Sequence, residues 1–303
     1  MGTVAIGVFF ADLKGFPFGK YVAEGRNLGR IRITHGGVCR NVAEDLIHVG
    51  EPVRFVSLCD EGAVGKDMLA HLKDEGVDTR YVVQVEDNGV GMWLVILDEK
   101  GNLAGSISQM PDTAPLEALI REKGDEIVQS ADNIVLEIDL SAAIAARVLE
   151  LAKQYGKKVY TIVGNMSVIL QHPEYLQELD CFVCNDVEAG RLFDVSDVRM
   201  DGEQLLAYLP DAMKKQGIQA MVVTLGADGA VYYDSRTGES GHCPTAATKL
   251  VDTSGAGDAF LAGFVAARSR GCGMRQAVQA ASRLAAAALA REESVAPKMD
   301  LFA

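Results

Sequence analysis

The sequence predicts an α/β domain with a small β-sheet lid, and two patterns carry that prediction. From Leu116 onward, short apolar runs alternate with helical stretches of about 10–15 residues, the arrangement that builds βαβ units around a parallel sheet. Before that point, residues at about 13–34 and 88–110 read as strands with one wet face that adjoin no long helix, which suits an accessory sheet. No fixed-period repeat and no Ser/Pro-rich linker divides the chain, so 1–303 is taken as one domain with that lid inserted near its start.

The elements follow in order. Residues 3–10 form an apolar run that predicts a buried strand ending at Asp12, and the Ile-Arg-Ile alternation within Gly29–Thr34 predicts a half-exposed one. Gly36-Gly37 opens a helix that runs to Ile47 or Val49 and stops at Gly50. Val53–Cys59 reads as strand, Gly65–Glu75 as helix closed by Gly76, and Tyr81–Val85 as a short strand. Gly91–Asp98 and Leu103–Ser108 make a hairpin around Glu99-Lys-Gly-Asn102. In that hairpin Trp93 reads equally as lid core or as a ligand contact. Helices are then expected at Leu116–Ile127, Ser141–Tyr155, 201–216, 257–270 and 274–292. Strands are expected at Ile134–Ile138, Val159–Val163, Cys181–Cys184, Ala220–Leu225 and Gly229–Tyr233.

Composition narrows the function. Hydrophobic residues make up 49% of 303, enough for a substantial core, and the net charge is −13 at pH 7. Nucleic acid and anionic membranes demand a basic surface, so neither is an expected partner. No apolar run approaches the roughly 18 uncharged residues of a membrane span, and the apolar N-terminus, followed by Asp12 and Lys14, reads as strand rather than signal peptide. Six scattered cysteines point to a reducing cytoplasm. Cys181-x-x-Cys184 lies in a strand with no further zinc ligands near it and reads as core, as His35 reads as structural.

Chemistry concentrates in Leu250–Phe260. Gly255 and Gly257 permit a tight turn whose N–H groups converge on an anion, and the helix starting near Asp258 adds the positive end of its dipole. Asp258 beside that nest is a carboxylate placed to take a proton, and an anion hole with a base is what phosphoryl transfer to a hydroxyl requires. The alternative is a Gly-rich helix entry with Asp258 as N-cap. Three further segments are similarly two-sided. Gly36-Gly37, with Arg40 and Asn41 in the next turn, offers close backbone approach or a plain helix start. Asn185-x-x-Glu188, at a strand end, suits a hydrated Mg2+ or a capping box. Thr224-x-Gly226-x-x-Gly229 admits a nucleotide or is a hairpin turn.

The order of these motifs, ending in Asp252-Thr-x-Gly-Ala-Gly-Asp258, resembles the ribokinase/PfkB family of carbohydrate and nucleoside kinases over essentially the whole chain. The resemblance implies a ribokinase-like three-layer α/β/α domain whose lid closes over the phosphate acceptor. It implies ATP as donor, Asp258 as general base, and Gly255, Ala256 and Gly257 as the anion hole. It implies Mg2+ organised through water by Asn185 and Glu188, a nucleotide site lined by Thr224, Gly226 and Gly229, and Ser282 at the adenine. Asp12, Gly36, Gly37 and Asn41 would hold acceptor hydroxyls, and a monovalent cation such as K+ would sit near Asp252. The partner loop of that cation site, Arg291–Ala296, lacks the family's usual glycine, so K+ activation stays open.

Within the family, Gly37-Val-x-Arg-Asn-Val-Ala, Leu94-Val-Ile-Leu-Asp-x-x-Gly101 and Glu239-Ser-Gly241 are most similar to pseudouridine kinase. Ile107-Ser-Gln-Met110 and Val163-Gly-Asn165 depart from it on the acceptor side. A pseudouridine-like nucleoside is therefore the favoured acceptor, with a free sugar or sugar phosphate as the alternative. A non-catalytic sugar- or nucleoside-binding sensor is the contrasting reading, and a Rossmann oxidoreductase is disfavoured because no Gly-x-Gly-x-x-Gly follows the first strand. The lid strands have exposed edges that pairing across a homodimer would cover, while the oligomeric state stays open.

Overall fold

The computed structural model describes residues 2–195 and 200–303. The chain builds a nine-stranded sheet and a separate four-stranded one. The large sheet begins with β1 (Gly2–Ile6), while β2 (Phe10–Pro17) and β3 (Gly29–Gly36) belong to the small sheet. The predicted strand over 3–10 is thus two strands. The apolar run hides the break because Val8 and Phe9, between the strands, are themselves fully buried. At the break, a Cβ on Gly7 would lie 2.4 Å from the Cys39 Cβ, so the chain can leave the sheet there only as glycine.

Next come α1 (Val38–His48), β4 (Val53–Asp60), α2 (Ala63–Asp74) and β5 (Asp78–Val85), then the small sheet's hairpin β6 (Gly91–Leu97) and β7 (Leu103–Gln109). The rest alternates: α3 (Ala114–Gln129), β8 (Ala131–Glu137), α4 (Ala142–Gln154), β9 (Lys158–Ile162), α5 (Ser167–Gln171), β10 (Cys181–Asn185), α6 (Asp186–Leu192), α7 (Gly202–Gln216), β11 (Ala220–Thr224), β12 (Ala230–Asp234), β13 (Glu239–Cys243), α8 (Ala256–Ser269) and α9 (Met274–Leu289). Local chemistry sets several ends. The Ser141 hydroxyl accepts the Ala143 and Ile144 N–H groups at the start of α4, and α7 opens on an Asp201–Gln204 capping box and stops at Gly217, φ 73°.

The large sheet runs β13-β12-β11-β10-β9-β8-β1-β4-β5. It is mixed rather than parallel, because β12 pairs antiparallel with both β11 and β13. β13 went unforeseen because Glu-Ser-Gly-His-Cys carries no apolar alternation and pairs only at an edge. One core lies between the sheet and α1, α2, α8 and α9; the other lies under α3, α4 and α7. Alternating residues divide between them, Phe55 facing the first and Val56 the second. Helix α8 is rich in small residues, and a Cβ on Gly263 would stand 2.9 Å from the Ala281 Cα, so α8 and α9 pack at backbone distance.

Strand order reverses between β1 and β8, which are neighbours in the sheet but far apart in sequence. Ligands of open α/β sheets bind in the crevice at the carboxyl ends of strands at such a switch point. Both Gly-opened helices, α1 and α8, begin over that crevice: a Cβ on Gly37 would meet the Val8 carbonyl after β1, and one on Gly257 the Ile162 side chain at the end of β9. The small sheet, ordered β3-β2-β6-β7, leaves the large one at Phe10 and returns after Gln109.

Candidate active site

Helix α8 starts at Ala256, one residue before the expected range of 257–270, so Asp258 sits in its first turn and Gly255 is the N-cap. Gly255 adopts φ 77°, and a Cβ there would fall 1.8 Å from the Ser294 carbonyl oxygen. Only glycine fits that turn. The Ala256 N–H already donates a long bond to the Thr253 carbonyl, 3.4 Å, which an incoming anion would have to displace.

The Asp258 carboxylate meets α1. Its Oδ2 accepts from Asn41 Nδ2 at 2.7 Å, across 217 positions of sequence. The orientation of that amide is fixed from behind, since Arg40 donates to Asn41 Oδ1 at 2.7 Å and so turns the NH2 group toward Asp258. Buried Arg40 also donates to the Glu44 carboxylate and to the His35 carbonyl. Burial raises the Asp258 pKa to about 7, helped by the nearby charge of Asp12 and opposed by the Asn41 hydrogen bond and the Arg40 charge. A carboxyl poised near neutrality is the property a general base requires.

Asp12 stands on β2, and its oxygens lie 2.9–3.0 Å from where a Cβ on Gly36 would project. Its pKa is raised by burial, against the charges of Lys14 and Arg40. Asp12, Gly36, Gly37, Asn41 and Asp258 therefore share one corner of the crevice. Glu137, at the end of β8, lies beneath it and accepts the Val8 N–H; burial lifts its carboxyl to about 8. Glu137 could not be read from a motif, because topology alone brings it to Val8; Arg40's grip on Asn41 is local, between adjacent residues, and only the pair's link to Asp258 depends on topology.

Asn185 and Thr224 are register partners at the carboxyl ends of β10 and β11. Asn185 and Glu188 form a reciprocal capping box: Asn185 Oδ1 accepts the Glu188 N–H at 2.8 Å, and Glu188 Oε2 accepts the Asn185 N–H at 2.8 Å. Glu188's pKa is raised by burial and by the charge of Asp139. Its second oxygen, within reach of the Asp139 charge, gives an acidic corner that fits a hydrated divalent cation, although Asp139 itself accepts the N–H groups of Gly164, Asn165, Met166 and Val168. Among the described residues no three His, Cys, Asp or Glu side chains converge as a direct ligand set. Such an ion would thus be held through its waters.

Gly226 and Gly229 lie in the hairpin turn joining β11 to β12. A Cβ on Gly229 would meet the Cys243 carbonyl at 2.0 Å, whereas Gly226 faces open space. Thr245 donates to the Gly226 carbonyl at 2.8 Å, and the Ser282 hydroxyl accepts the Ala246 N–H at 3.0 Å. These contacts border a cleft of about 620 Å³ whose walls include Pro244, Gln279, Ser282 and Arg283.

Asp252 fits a monovalent cation poorly. Its Oδ1 accepts the Ser254 N–H at 2.9 Å and its Oδ2 lies 3.6 Å from the Lys14 ammonium, which also donates to the Ser254 hydroxyl at 2.9 Å. Lys14 of the small sheet thus already supplies the positive charge at that carboxylate, a contact no sequence motif signals.

Against known proteins, the chain matches the profile described as pfkB family carbohydrate kinase over residues 3–300. It is 33% identical to a guanosine-inosine kinase of Exiguobacterium acetylicum over 97% of this chain and 96% of that protein. It is 26% identical to the pseudouridine kinase of Escherichia coli (strain K12), over 99% of this chain and 94% of that one. Among solved structures, Arabidopsis thaliana ribokinase complexed with ribose and ATP aligns with a TM-score of 0.84 at 23% identity, covering 99% of this chain and 97% of that one. That likeness shows the ribokinase-like fold.

Proposed function

The chain belongs to the pfkB family of carbohydrate kinases, and from that premise we propose that it transfers the γ-phosphoryl group of ATP to a ribose hydroxyl of a nucleoside. The observation that carries the reading is the Asp258 carboxylate, held on one oxygen by Asn41 beside the Gly255 turn. Asp258 takes the acceptor hydroxyl's proton as that oxygen attacks the γ-phosphorus and ADP departs. The turn Gly255-Ala256-Gly257 and the N-terminus of α8 face the charge on the transferring group. Asp12, Asn41 and the Gly36-Gly37 backbone hold the acceptor, and Mg2+ carried with ATP is oriented through water by Glu188 and Asn185. The nucleotide lies along Thr224, Gly226 and Gly229, with Ser282 at its base. A nucleoside acceptor is favoured because a guanosine-inosine kinase and a pseudouridine kinase align over nearly the whole chain.

Closure of the small sheet as a lid would keep water from competing as acceptor. Its outer face exposes Ile33, Leu94 and Ile107 in one cross-strand row, with Ile31 two residues along on the same face, and a second copy of the chain covering that surface gives a dimer through the lid. Light scattering reads this directly, twice the chain mass being expected.

The decisive experiment is Asp258→Asn in an ADP-release assay over nucleosides, pentoses, hexoses and sugar phosphates. Turnover should fall about 10²–10⁴-fold with the fold intact. Near wild-type turnover would refute the role of Asp258. Faster turnover of a free sugar than of every nucleoside would move the acceptor class.

A further inference from the structure

We propose that Trp93 is the base-recognition platform of the acceptor site, an indole against which the nucleobase of the acceptor stacks; this rests on the nucleoside kinase reading above.

The register of the small sheet carries the inference. Thr34, Asp12, Trp93 and Ser108 are consecutive cross-strand partners on β3, β2, β6 and β7, so their side chains stand on one face. That face looks onto the acid–base corner, because the Asp12 carboxylate points at Gly36 and its charge reaches Asp258. Trp93 therefore sits one strand beyond the carboxylate that would hold a ribose hydroxyl. A group attached to that ribose on the side away from Asp258 meets the indole first.

The surroundings of the ring argue against a role in lid packing. Its cross-strand neighbours are Asp12 and Ser108, neither of which offers an apolar surface; Val95, two residues along the same face, is itself buried, yet Trp93 keeps 36% of its area exposed. The residues flanking it in sequence, Met92 and Leu94, belong to the opposite face by alternation, where Leu94 joins the apolar outer row. A large flat ring held beside hydroxyl-binding groups, with no aromatic ring stacked on it among the described residues, matches a nucleobase: planar, aromatic and joined to a polyhydroxylated ring. A free sugar presents no such face. Purines, with the larger ring area, should gain most.

This chain has one tryptophan beside eight tyrosines, so fluorescence excited beyond the tyrosine absorption band reports on Trp93 alone. Wild-type protein is titrated without ATP with inosine, guanosine, uridine and ribose. Saturable quenching is expected with both purine nucleosides, less with uridine and none with ribose. In parallel, Trp93→Leu should raise the KM for inosine about 5- to 150-fold, the usual worth of a base stacked on an aromatic side chain. Its kcat and its turnover of ribose should stay within about threefold, and Trp93→Phe should recover most of the loss. Equal quenching by ribose and inosine, or an inosine KM unchanged in Trp93→Leu, overturns the proposal while leaving the kinase reading intact. Absence of ADP release from wild-type protein with every acceptor would sink that reading, and this inference with it.

Discussion

Asn41→Ala separates two roles that one side chain can play. If Asn41 only grips an acceptor hydroxyl, its loss raises KM equally at every pH. The structure gives it a second task, because its Nδ2 donates to the ionised Asp258 carboxylate at 2.7 Å. Wild-type kcat/KM should then fall with unit slope below a pH of about 7, where Asp258 takes up its proton. A hydrogen bond to a charged group contributes ~1.5–3 kcal/mol, and one pKa unit is about 1.36 kcal/mol. Its removal should therefore move the acid limb up by about one to two pH units. At pH 7.5 about three-quarters of wild-type Asp258 is ionised, against about a quarter to a thirtieth in the variant. The pH-dependent loss is about 3- to 25-fold and disappears in alkaline buffer, leaving any KM effect behind. The measurement is kcat/KM by ADP release from about pH 5.5 to 9.5 at constant ionic strength. A limb that stays at its wild-type position while KM rises would refute the coupling and leave Asn41 as a substrate contact.

Two further predictions come from the same region. Gly255→Ala must push against the Ser294 carbonyl while holding φ 77°, so kcat should drop at least about 100-fold with some loss of Tm. Gly226→Ala, also at positive φ but clear of other protein atoms, should cost only about 1–2 kcal/mol of stability and act on the KM for ATP rather than on kcat, and an equal fall of kcat in the two variants would remove the special standing of Gly255. Glu137 has a folded-state pKa raised from 4.5 to about 8, so the folded protein binds a proton that the unfolded chain has released between those values. Stability should accordingly decline as pH rises through that window, and Glu137→Gln should flatten the decline measured as Tm against pH. A Tm–pH slope unchanged in the variant would show that this carboxyl is not the group responsible.

Most strands and helices were legible because each buries one face or two, and apolar periodicity records that directly. Exceptions arose where burial and hydrogen bonding part company. Val8 and Phe9 are core residues without being strand, and β13 is strand with hardly any core. The site was legible as local motifs: Gly36-Gly37, Asn185-x-x-Glu188 and the Gly255 turn each impose a backbone geometry that their own residues reveal. The links between motifs were not legible. Lys14 reaches Ser254 across 240 positions and Asn41 reaches Asp258 across 217, contacts created by topology alone. Asn185 and Glu188 show the reverse case, since the capping box they form would give the same spacing in the absence of any ligand.

The carbonyl that shapes the Gly255 turn belongs to Ser294, and the segment around it is anchored to α1: Asp45 Oδ1 accepts the Ala296 N–H, and the His48 carbonyl accepts that of Met299. A nascent or clipped chain stopping short of this segment would possess the base and the acceptor corner but lack the strut that keeps the phosphate-facing turn in its left-handed shape.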